Sequence, residues 1–474
     1  MTGIVEKIIT IAEIASATGG RIVRAAPEDA AVTGVATDSR KVAKGSLFVA
    51  LPGEKTDGHE FLGEAAAAGA AAFLVSEDEA ERRSSHWVGL SAGRGPGVVA
   101  VLRPLSALQD LARFHMSRFP SVTRVGITGS SGKTTTKEII GAILTRNAPT
   151  AVNEGNLNSE IGLPLACFAV NGGHRFAVFE MGMNHRGEMD VLADIVRPDA
   201  ALLTNIGTAH VGLLGSQEEI AKEKKKIFVQ FDGRQIAFLP EEESFLGFLR
   251  EGVRGRVVLF GPRSTPGYRG SENQGLGGTL IHWEGFRIHF PLFGQHNLAN
   301  ALGAISVARE LGVPNAEIRD GLEAVAPLFV RSQILRGPVT VIVDCYNANP
   351  DSMGHALSFV SEVPWEGRKI AVLGSMRELG AKTVEAHRDL GEKLRESPLD
   401  LVYLVGAEME QAWKALSDSP ATARTRWHAD LEGLGQELGE RLVAGDLVLL
   451  KGSRGLELER LLPFIAPGGG KAGA

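Results

Sequence analysis

Along most of the chain, apolar runs of strand length alternate with segments whose apolar residues recur at helical spacing, and Gly, Asp and Asn punctuate them. The alternation predicts strand, helix, strand: parallel sheets covered on both faces, with ligands gathering beyond the carboxyl ends of the strands. From Ile9 to about Val98 it predicts a small α/β unit, closed by a Gly-rich linker at Ala92–Gly97. A helix from Arg103, with Leu105, Leu108, Leu111 and Ala112 on one face, leads to an apolar strand at 122–127. There follow strand Phe176–Glu180, helix Met189–Val196, strand Ala200–Thr204, one long helix from Gln217 to about Phe231, and strand Ile236–Leu239. The Gly-rich stretch Thr265–Thr279 reads as a surface excursion, the alternation in Ile281–Phe290 as a hairpin or edge strands, and Asn297–Leu311 as a helix capped by Asn297. A last series places strands at Val339–Val343, Ile370–Leu373, Leu401–Val405 and Leu447–Leu450. Its helices fall at Met353–Glu362, Val384–Leu394, Glu408–Leu416 and Leu431–Leu442. The fold class is α/β with three domains, 1–100, 101–332 and 333–474, the last doubly wound and Rossmann-like; the tail from Ala466 is expected to be disordered.

Composition narrows the class without redirecting it. At 474 residues the chain exceeds one core, and 44% hydrophobic with 22% charged residues excludes fibrous and disordered classes. A formal net charge of -6 argues against a nucleic-acid partner, so any anionic ligand must be held locally. Cys167 and Cys345 are the only cysteines, too few for a disulfide framework, which suits a reducing cytoplasm. Glu6, Lys7 and Glu13 interrupt the N-terminal apolar residues, and the Ala-rich run from Ala65 to Val75 is too short for a bilayer; a cytoplasmic monomer without membrane insertion is expected.

The strand at 122–127 runs into Gly129-Ser130-Ser131-Gly132-Lys133-Thr134-Thr135, which opens a helix. This is a phosphate-binding loop: glycines let backbone N–H groups converge on phosphate oxygens, the helix N-terminus adds its positive end, Lys133 supplies a mobile charge, and the Thr134 hydroxyl suits Mg²⁺. The spacing departs from the general pattern, since Ile127 holds the place of the first glycine and the glycine sits at Gly126. Glu180, at a strand end, pairs naturally with Thr134 as a hard-oxygen metal ligand, and His210, six residues beyond the end of another strand, would complete the set. The run Lys222–Lys226 is read at the start of a long helix, where the dipole disfavours clustered positive charge. Most of these lysines are expected to be solvated; one either points inward toward the phosphates or carries a modification. A carbamate formed from a neutral amine and CO₂ would present two oxygens to a second Mg²⁺. Thr37-Asp38-Ser39-Arg40 and Asp57-Gly58-His59 lie in loops, as ligand contacts or as simple Asx turns.

Together, Thr128–Thr134, Asn153–Asn158 with Glu160–Pro164, Glu180–Asn184, Asn205–His210, Gly294–Asn297 and Asp344–Ser352 resemble the Mur ligases, over a span from about Thr37 to Gly452. The stretch Asn-Ala-Asn-Pro-Asp-Ser at 347–352 is the most specific piece. The resemblance implies an ATP-dependent amide ligase with a UDP-substrate domain, a central phosphate-loop ATPase domain and a C-terminal domain closing over nucleotide and acceptor. It would join D-alanyl-D-alanine to UDP-N-acetylmuramoyl-tripeptide through an acyl phosphate in peptidoglycan precursor synthesis, with ATP and Mg²⁺. By the same resemblance, Gly129 to Thr135 hold phosphates, Asn297, Asp344 and Asn347 the nucleoside, and Arg331 the terminal phosphate. Thr134, Glu180, His210 and a carbamylated Lys224 would hold Mg²⁺, with Lys222 in reserve, and Lys133, Lys224 and His210 would be catalytic. Ser39, Arg40, Asp57, Gly58, His59, Asn156 and Asn158 would bind the UDP-substrate. Gly374-Ser375-Met376, where the family has Gly-Asp-Met, and Val330-Arg331, in place of Gly-Arg, are local departures.

Overall fold

The computed structural model describes residues 8–25, 32–53, 56–83, 95–326 and 330–465. The expected linker lies outside the described residues up to Arg94, and the tail from Ala466 lies outside them entirely.

Strands that are covered on both faces carry continuous apolar runs, and three such sheets organise the chain. The first has the order Arg21–Arg24, Gly97–Val101, Ala72–Ser76, Ser46–Val49, Gly34–Ala36, parallel except for its first strand. The central sheet is parallel throughout, in the order Arg256–Phe260, Ile236–Pro240, Ala200–Leu203, Thr123–Thr128, Phe176–Glu180, Thr150–Val152. Alternate residues of its strands serve opposite faces, as the pleat requires. Val178 and Leu202 pack with Ile139, Ile143 and Leu302 of helices Lys133–Asn147 and Gln295–Glu310. Their neighbours Ala177, Ala201 and Leu203 pack with Leu108, Leu111 and Leu192 of helices Pro104–Ser117 and Glu188–Val196.

The third sheet has the order Gln333–Leu335, Thr340–Asp344, Leu447–Lys451, Lys369–Gly374, Leu401–Val405, Thr425–His428, parallel apart from its first pair. Helices Pro350–Glu362 and Thr383–Arg395 belong to this doubly wound unit. Asn349 caps the first of them by accepting from Ser352 N. Among the described residues, no helix is long and apolar enough to cross a membrane.

Three expectations are corrected. The stretch Thr265–Thr279 is not only an excursion: Tyr268–Asn273 joins Thr279–Trp283 and Phe286–Phe290 in an antiparallel sheet. Glu284 and Gly285 both take positive φ, as a two-residue hairpin turn of matching twist demands, and the fully buried Trp283 donates to Pro266 O at 2.9 Å. The long helix stops early, at Gln217–Lys225, and continues only as a 3₁₀ turn, Lys226–Phe228. Lys222, Lys224 and Lys225 therefore stand in its last turn, where positive charge complements the dipole, and Glu218 and Glu219 occupy the first. Asn297 is not a cap: helix Gln295–Glu310 begins after Gly294, and the buried Asn297 side chain donates to Phe293 O at 2.9 Å.

Candidate active site

The phosphate loop leaves the end of strand Thr123–Thr128 and enters helix Lys133–Asn147. Gly129 adopts φ 149° and Gly132 φ 81°, and a Cβ at Gly129 would collide with Thr204 Oγ1, so glycine is required there on both counts. The loop is braced by the segment that follows the adjacent strand Ala200–Leu203. Ser130 N donates to Asn205 O and Ser131 N to Asn205 Oδ1, both at 3.0 Å, Thr204 Oγ1 donates to Ser131 O at 2.6 Å, and Gly207 N to Ser130 Oγ at 2.8 Å. Backbone N–H groups and the helix start are thereby held in one orientation before any anion arrives.

Behind the loop, Thr134 Oγ1 donates to Glu180 Oε2 and Asn158 Nδ2 to Glu180 Oε1, each at 2.6 Å, and Glu180 N donates to Asn153 Oδ1 at 2.9 Å. Sequence reasoning missed Lys137, which is fully buried and donates to Asn153 O at 2.7 Å, fixing the turn that presents Asn153 to Glu180. Asn158 lines the cleft; Asn156 is exposed and does not.

Two lysines meet on one oxygen: Lys133 Nζ donates to Gly129 O at 2.9 Å and Lys224 Nζ to the same oxygen at 2.8 Å. Lys224 is fully buried, and burial, reinforced by the charge of Lys133, holds its amine well below the ordinary 10.5. Burial also lowers Lys133, with Arg331 adding to the effect and Glu180 opposing it. The low proton affinity of Lys224 thus comes from desolvation at a helix C-terminus, not from the helix N-terminus at which the sequence places the lysine run. Lys222, by contrast, is exposed and paired with Glu219 at 2.6 Å.

A cleft of about 630 Å³ opens in front of these groups, between the central and C-terminal sheets. Residues 130–135, Glu180, His210, Asn297, Arg331, Asp344 and Asn347 all line it. His210, at φ 65°, turns Nδ1 to within 3.1 Å of Glu378 Oε2, and that contact holds the Glu378 carboxyl below its ordinary range. Arg331 lies 3.7 Å from the centre of the Tyr346 ring, a cation–π contact, between Val330 and Ser332, which both take positive φ. Lys451, missed from sequence although it ends a strand, is buried with Nζ 2.8 Å from Asp344 Oδ2 and donates to Asn347 O at 3.0 Å. His296 and His355, also missed, lie parallel within 5° with ring centres 5.4 Å apart. Burial pushes His296 down to about 4 and lowers His355, so the pair is neutral at pH 7 and offers flat polar faces to the cleft.

The N-terminal clusters are not brought to this cleft. Asp38 caps a 3₁₀ turn and is bound by Arg40 through contacts of 2.9 and 2.8 Å, which hold its carboxyl down to about 2, while Ser39 Oγ donates to Glu64 Oε2 at 3.0 Å. Asp57 caps another 3₁₀ turn; His59 Nδ1 lies 2.6 Å from Asp57 Oδ1, and His59 Nε2 accepts from Ser76 N at 3.0 Å. That places the ring proton on Nδ1, and His59 is 2% exposed, so both nitrogens are committed to shaping the loop. Gly58 leaves no room for a side chain, since a Cβ would stand 2.7 Å from Leu51 N.

Among the described residues no three His, Cys, Asp or Glu side chains converge as a complete metal site. Thr134 and Glu180 nevertheless form a hard-oxygen pair at the mouth of a phosphate loop, a set that fits Mg²⁺ with triphosphate oxygens filling its remaining positions.

The sequence matches the Mur ligase family in three segments: the Mur ligase family, catalytic domain at residues 31–115, the Mur ligase middle domain at 127–308, and the Mur ligase, glutamate ligase domain at 330–454. A Treponema pallidum relative, UDP-N-acetylmuramoyl-tripeptide–D-alanyl-D-alanine ligase, is 40% identical over 466 residues, spanning 97% of this chain and 99% of its own. A crystal structure of MurF from Acinetobacter baumannii superposes with a TM-score of 0.85 at 30% identity, over 96% of this chain and 98% of that one. MurF ligase from Thermotoga maritima, in complex with ADP, gives 0.77 at 29% identity, over 92% and 98%. With its sequence matched almost end to end and its fold shared over nearly the whole chain, the chain belongs to the Mur ligase family.

Proposed function

We propose that this chain is an ATP-dependent ligase that joins D-alanyl-D-alanine to UDP-N-acetylmuramoyl-tripeptide, acting as a cytoplasmic monomer in peptidoglycan precursor synthesis. The observation that carries the reading is the cleft in which a braced phosphate loop faces Arg331 at the junction and Asp344 from the C-terminal unit. Support comes from the Treponema pallidum relative, which carries that activity in its name, and from the Thermotoga maritima structure, which holds ADP.

In this reading a carboxylate oxygen of the tripeptide attacks the γ-phosphorus, the bond to the β-phosphate oxygen breaks, and ADP leaves. The amine of the acceptor then adds to the acyl carbon, loses its proton, and the tetrahedral adduct expels phosphate as the amide forms. Two anions must approach, so positive charge at the transferring phosphoryl group is the main requirement. Lys133 and Arg331 supply it, and Gly129 to Thr135 orient the phosphates. Mg²⁺ held by Thr134, Glu180 and His210 would neutralise phosphate charge. Asn297, Asp344, Asn347 and the His296–His355 pair receive the nucleoside, with Lys451 fixing Asp344. Lys224, whose amine burial holds well below its ordinary 10.5, is the one suited to carbamylation; Lys222 is not, being exposed and paired. Ser39, Arg40 and Asn156 are the groups offered to the UDP-substrate, with Asp57, Gly58 and His59 shaping the loop beside them and Asn158 reaching it from the cleft. The three units, 1–100, 101–332 and 333–474, close as rigid bodies about junctions near Gly97 and Arg331.

The test is to mix ATP, UDP-N-acetylmuramoyl-tripeptide and a panel of amino acids and dipeptides, then weigh the products. A product heavier by one D-alanyl-D-alanine less water, with ADP formed in step, is expected. Preference for a single amino acid such as glutamate, or ADP release independent of an acceptor, would overturn the reading.

A further inference from the structure

The segment after strand Ala200–Leu203 gives one side to the phosphate loop and the other to the C-terminal unit. Asn205 and Gly207 brace Ser131 and Ser130, as described. Immediately beyond, Asp351 Oδ2 accepts from Thr208 N at 2.9 Å and from Thr208 Oγ1 at 3.2 Å, across 143 residues of sequence. Two further contacts lie alongside: His210 against Glu378, and Gly212 N donating to Glu378 O at 3.2 Å. There the backbones touch, for a Cβ at Gly380 would stand 2.7 Å from Gly212 Cα.

Asp351 is the second residue of helix Pro350–Glu362. Asn349, Ser352 and His355 of the same helix start line the cleft, whereas Asp351 does not; it faces the bracing segment instead. The fit there is close. A Cβ at Gly207 would collide with Asp351 Oδ2, while its next neighbours, Asp351 Cγ and Ser130 Cβ, stand at 3.3 Å. Gly207 has no positive φ, so its conformation admits alanine and only the carboxylate excludes it.

We propose that Asp351 is a positioning residue: docked on Gly207–Thr208, it transmits closure of the C-terminal unit to Ser130 and Ser131 and sets the phosphate loop for transfer. It touches neither nucleotide nor reacting atoms. The inference rests on the ligase reading for its turnover measurements but not for its binding ones.

The test is a double-mutant cycle of Asp351→Ala and Gly207→Ala in the full chain. Asp351→Ala alone is expected to lower kcat about tenfold while changing the Kd for ATP, measured without the UDP-substrate, less than about threefold. Asp351→Asn, which keeps a carbonyl acceptor for Thr208 N, is expected to recover part of kcat. Gly207→Ala is expected to lower kcat about tenfold or more when Asp351 is intact, and less than about threefold further in the Asp351→Ala background, because the colliding carboxylate is gone. The same cycle is read on the rise in melting temperature caused by a non-hydrolysable ATP analogue together with the UDP-substrate, which needs no turnover. Failure of wild-type ligation with a coupled binding cycle would count against the ligase reading alone. Effects that simply multiply in both readouts, or an Asp351→Ala enzyme with unchanged kcat, would overturn the role of Asp351.

Discussion

Lys224→Met separates a structural lysine from a chemical one. The variant keeps the length of the side chain and removes Nζ, deleting the 2.8 Å bond to Gly129 O. Loss of one such bond is worth about 1 kcal/mol. Against that, burying an amine that the unfolded chain protonates is itself unfavourable at neutral pH, and methionine removes this burden. The sign follows from proton counting. The native amine lies well below 10.5, so from 10.5 down to its depressed value the unfolded chain binds a proton that the native chain does not. Wild-type stability therefore falls as pH falls through that window, and Lys224→Met should lose this slope, gaining in melting temperature relative to wild type as pH falls below about 10. Activity should move the other way. If a carbamate on Lys224 organises charge at the transferring phosphoryl group, its removal should resemble deletion of one preorganised electrostatic group, about 3 kcal/mol or 10²- to 10³-fold in kcat. The assay is ADP release with both substrates saturating, in bicarbonate and in CO₂-depleted buffer, beside a melting curve for each protein. Wild type should slow without CO₂, and Lys224→Ala should be partly restored by short carboxylic acids. A Lys224→Met enzyme that melts normally and keeps more than about a third of wild-type kcat would refute the reasoning, as that loss is under 1 kcal/mol.

Lys133→Ala should abolish acyl phosphate formation and leave the melting temperature within a few degrees, since the half-buried Lys133 bonds only to carbonyls of its own loop; ADP release near the wild-type rate would contradict this. His296 makes the protein acid-sensitive: held near 4 against the ordinary 6.5, it contributes stability that is present above pH 6.5 and lost as pH falls toward 4, about 3 kcal/mol at 1.36 kcal/mol per tenfold change in proton affinity. Melting curves of wild type and His296→Gln should therefore converge or cross between pH 6.5 and 4, and parallel curves would show that the ring does not resist protonation.

What the sequence displayed follows from burial. Phe176–Glu180, Ala200–Leu203, Leu401–Val405 and Leu447–Lys451 are interior strands with apolar runs, and their positions were legible. Among the strands that escaped notice, Thr150–Val152, Arg256–Phe260 and Thr425–His428 are the outermost of their sheets and mostly only partly buried: the first is very short, Arg426 and His428 break the last, and only Val257–Phe260 offered an apolar run to read. Helix Asn315–Glu323 was also missed, its apolar face reduced to Ile318 and Leu322. The early end of the helix at Lys225 carries no Gly or Pro, and with nothing to mark the stop the lysine run was assigned to the wrong end.

The site was legible where its chemistry is local and hidden where it depends on pairing across the fold. Gly129 to Thr135 announce themselves because glycine, lysine and threonine must follow one another at a strand-to-helix turn. Lys224 lies 95 residues from the carbonyl it binds, so neither its burial nor the desolvation that lowers its proton affinity could be read from its neighbours in sequence. The shared oxygen explains why the arrangement awaits an anion. Gly129 O has two lone pairs and accepts from both amines, but two ammonium groups on one oxygen repel, and burial withdraws water from each. Lys224, fully buried, is held well below its ordinary value, with the charge of Lys133 adding to desolvation, while Lys133 stands at the cleft wall. An entering triphosphate would favour the charged form of Lys133 and compete with the carbonyl for it. Gly129 O would then be left to Lys224 alone, and the repulsion between the two amines would end.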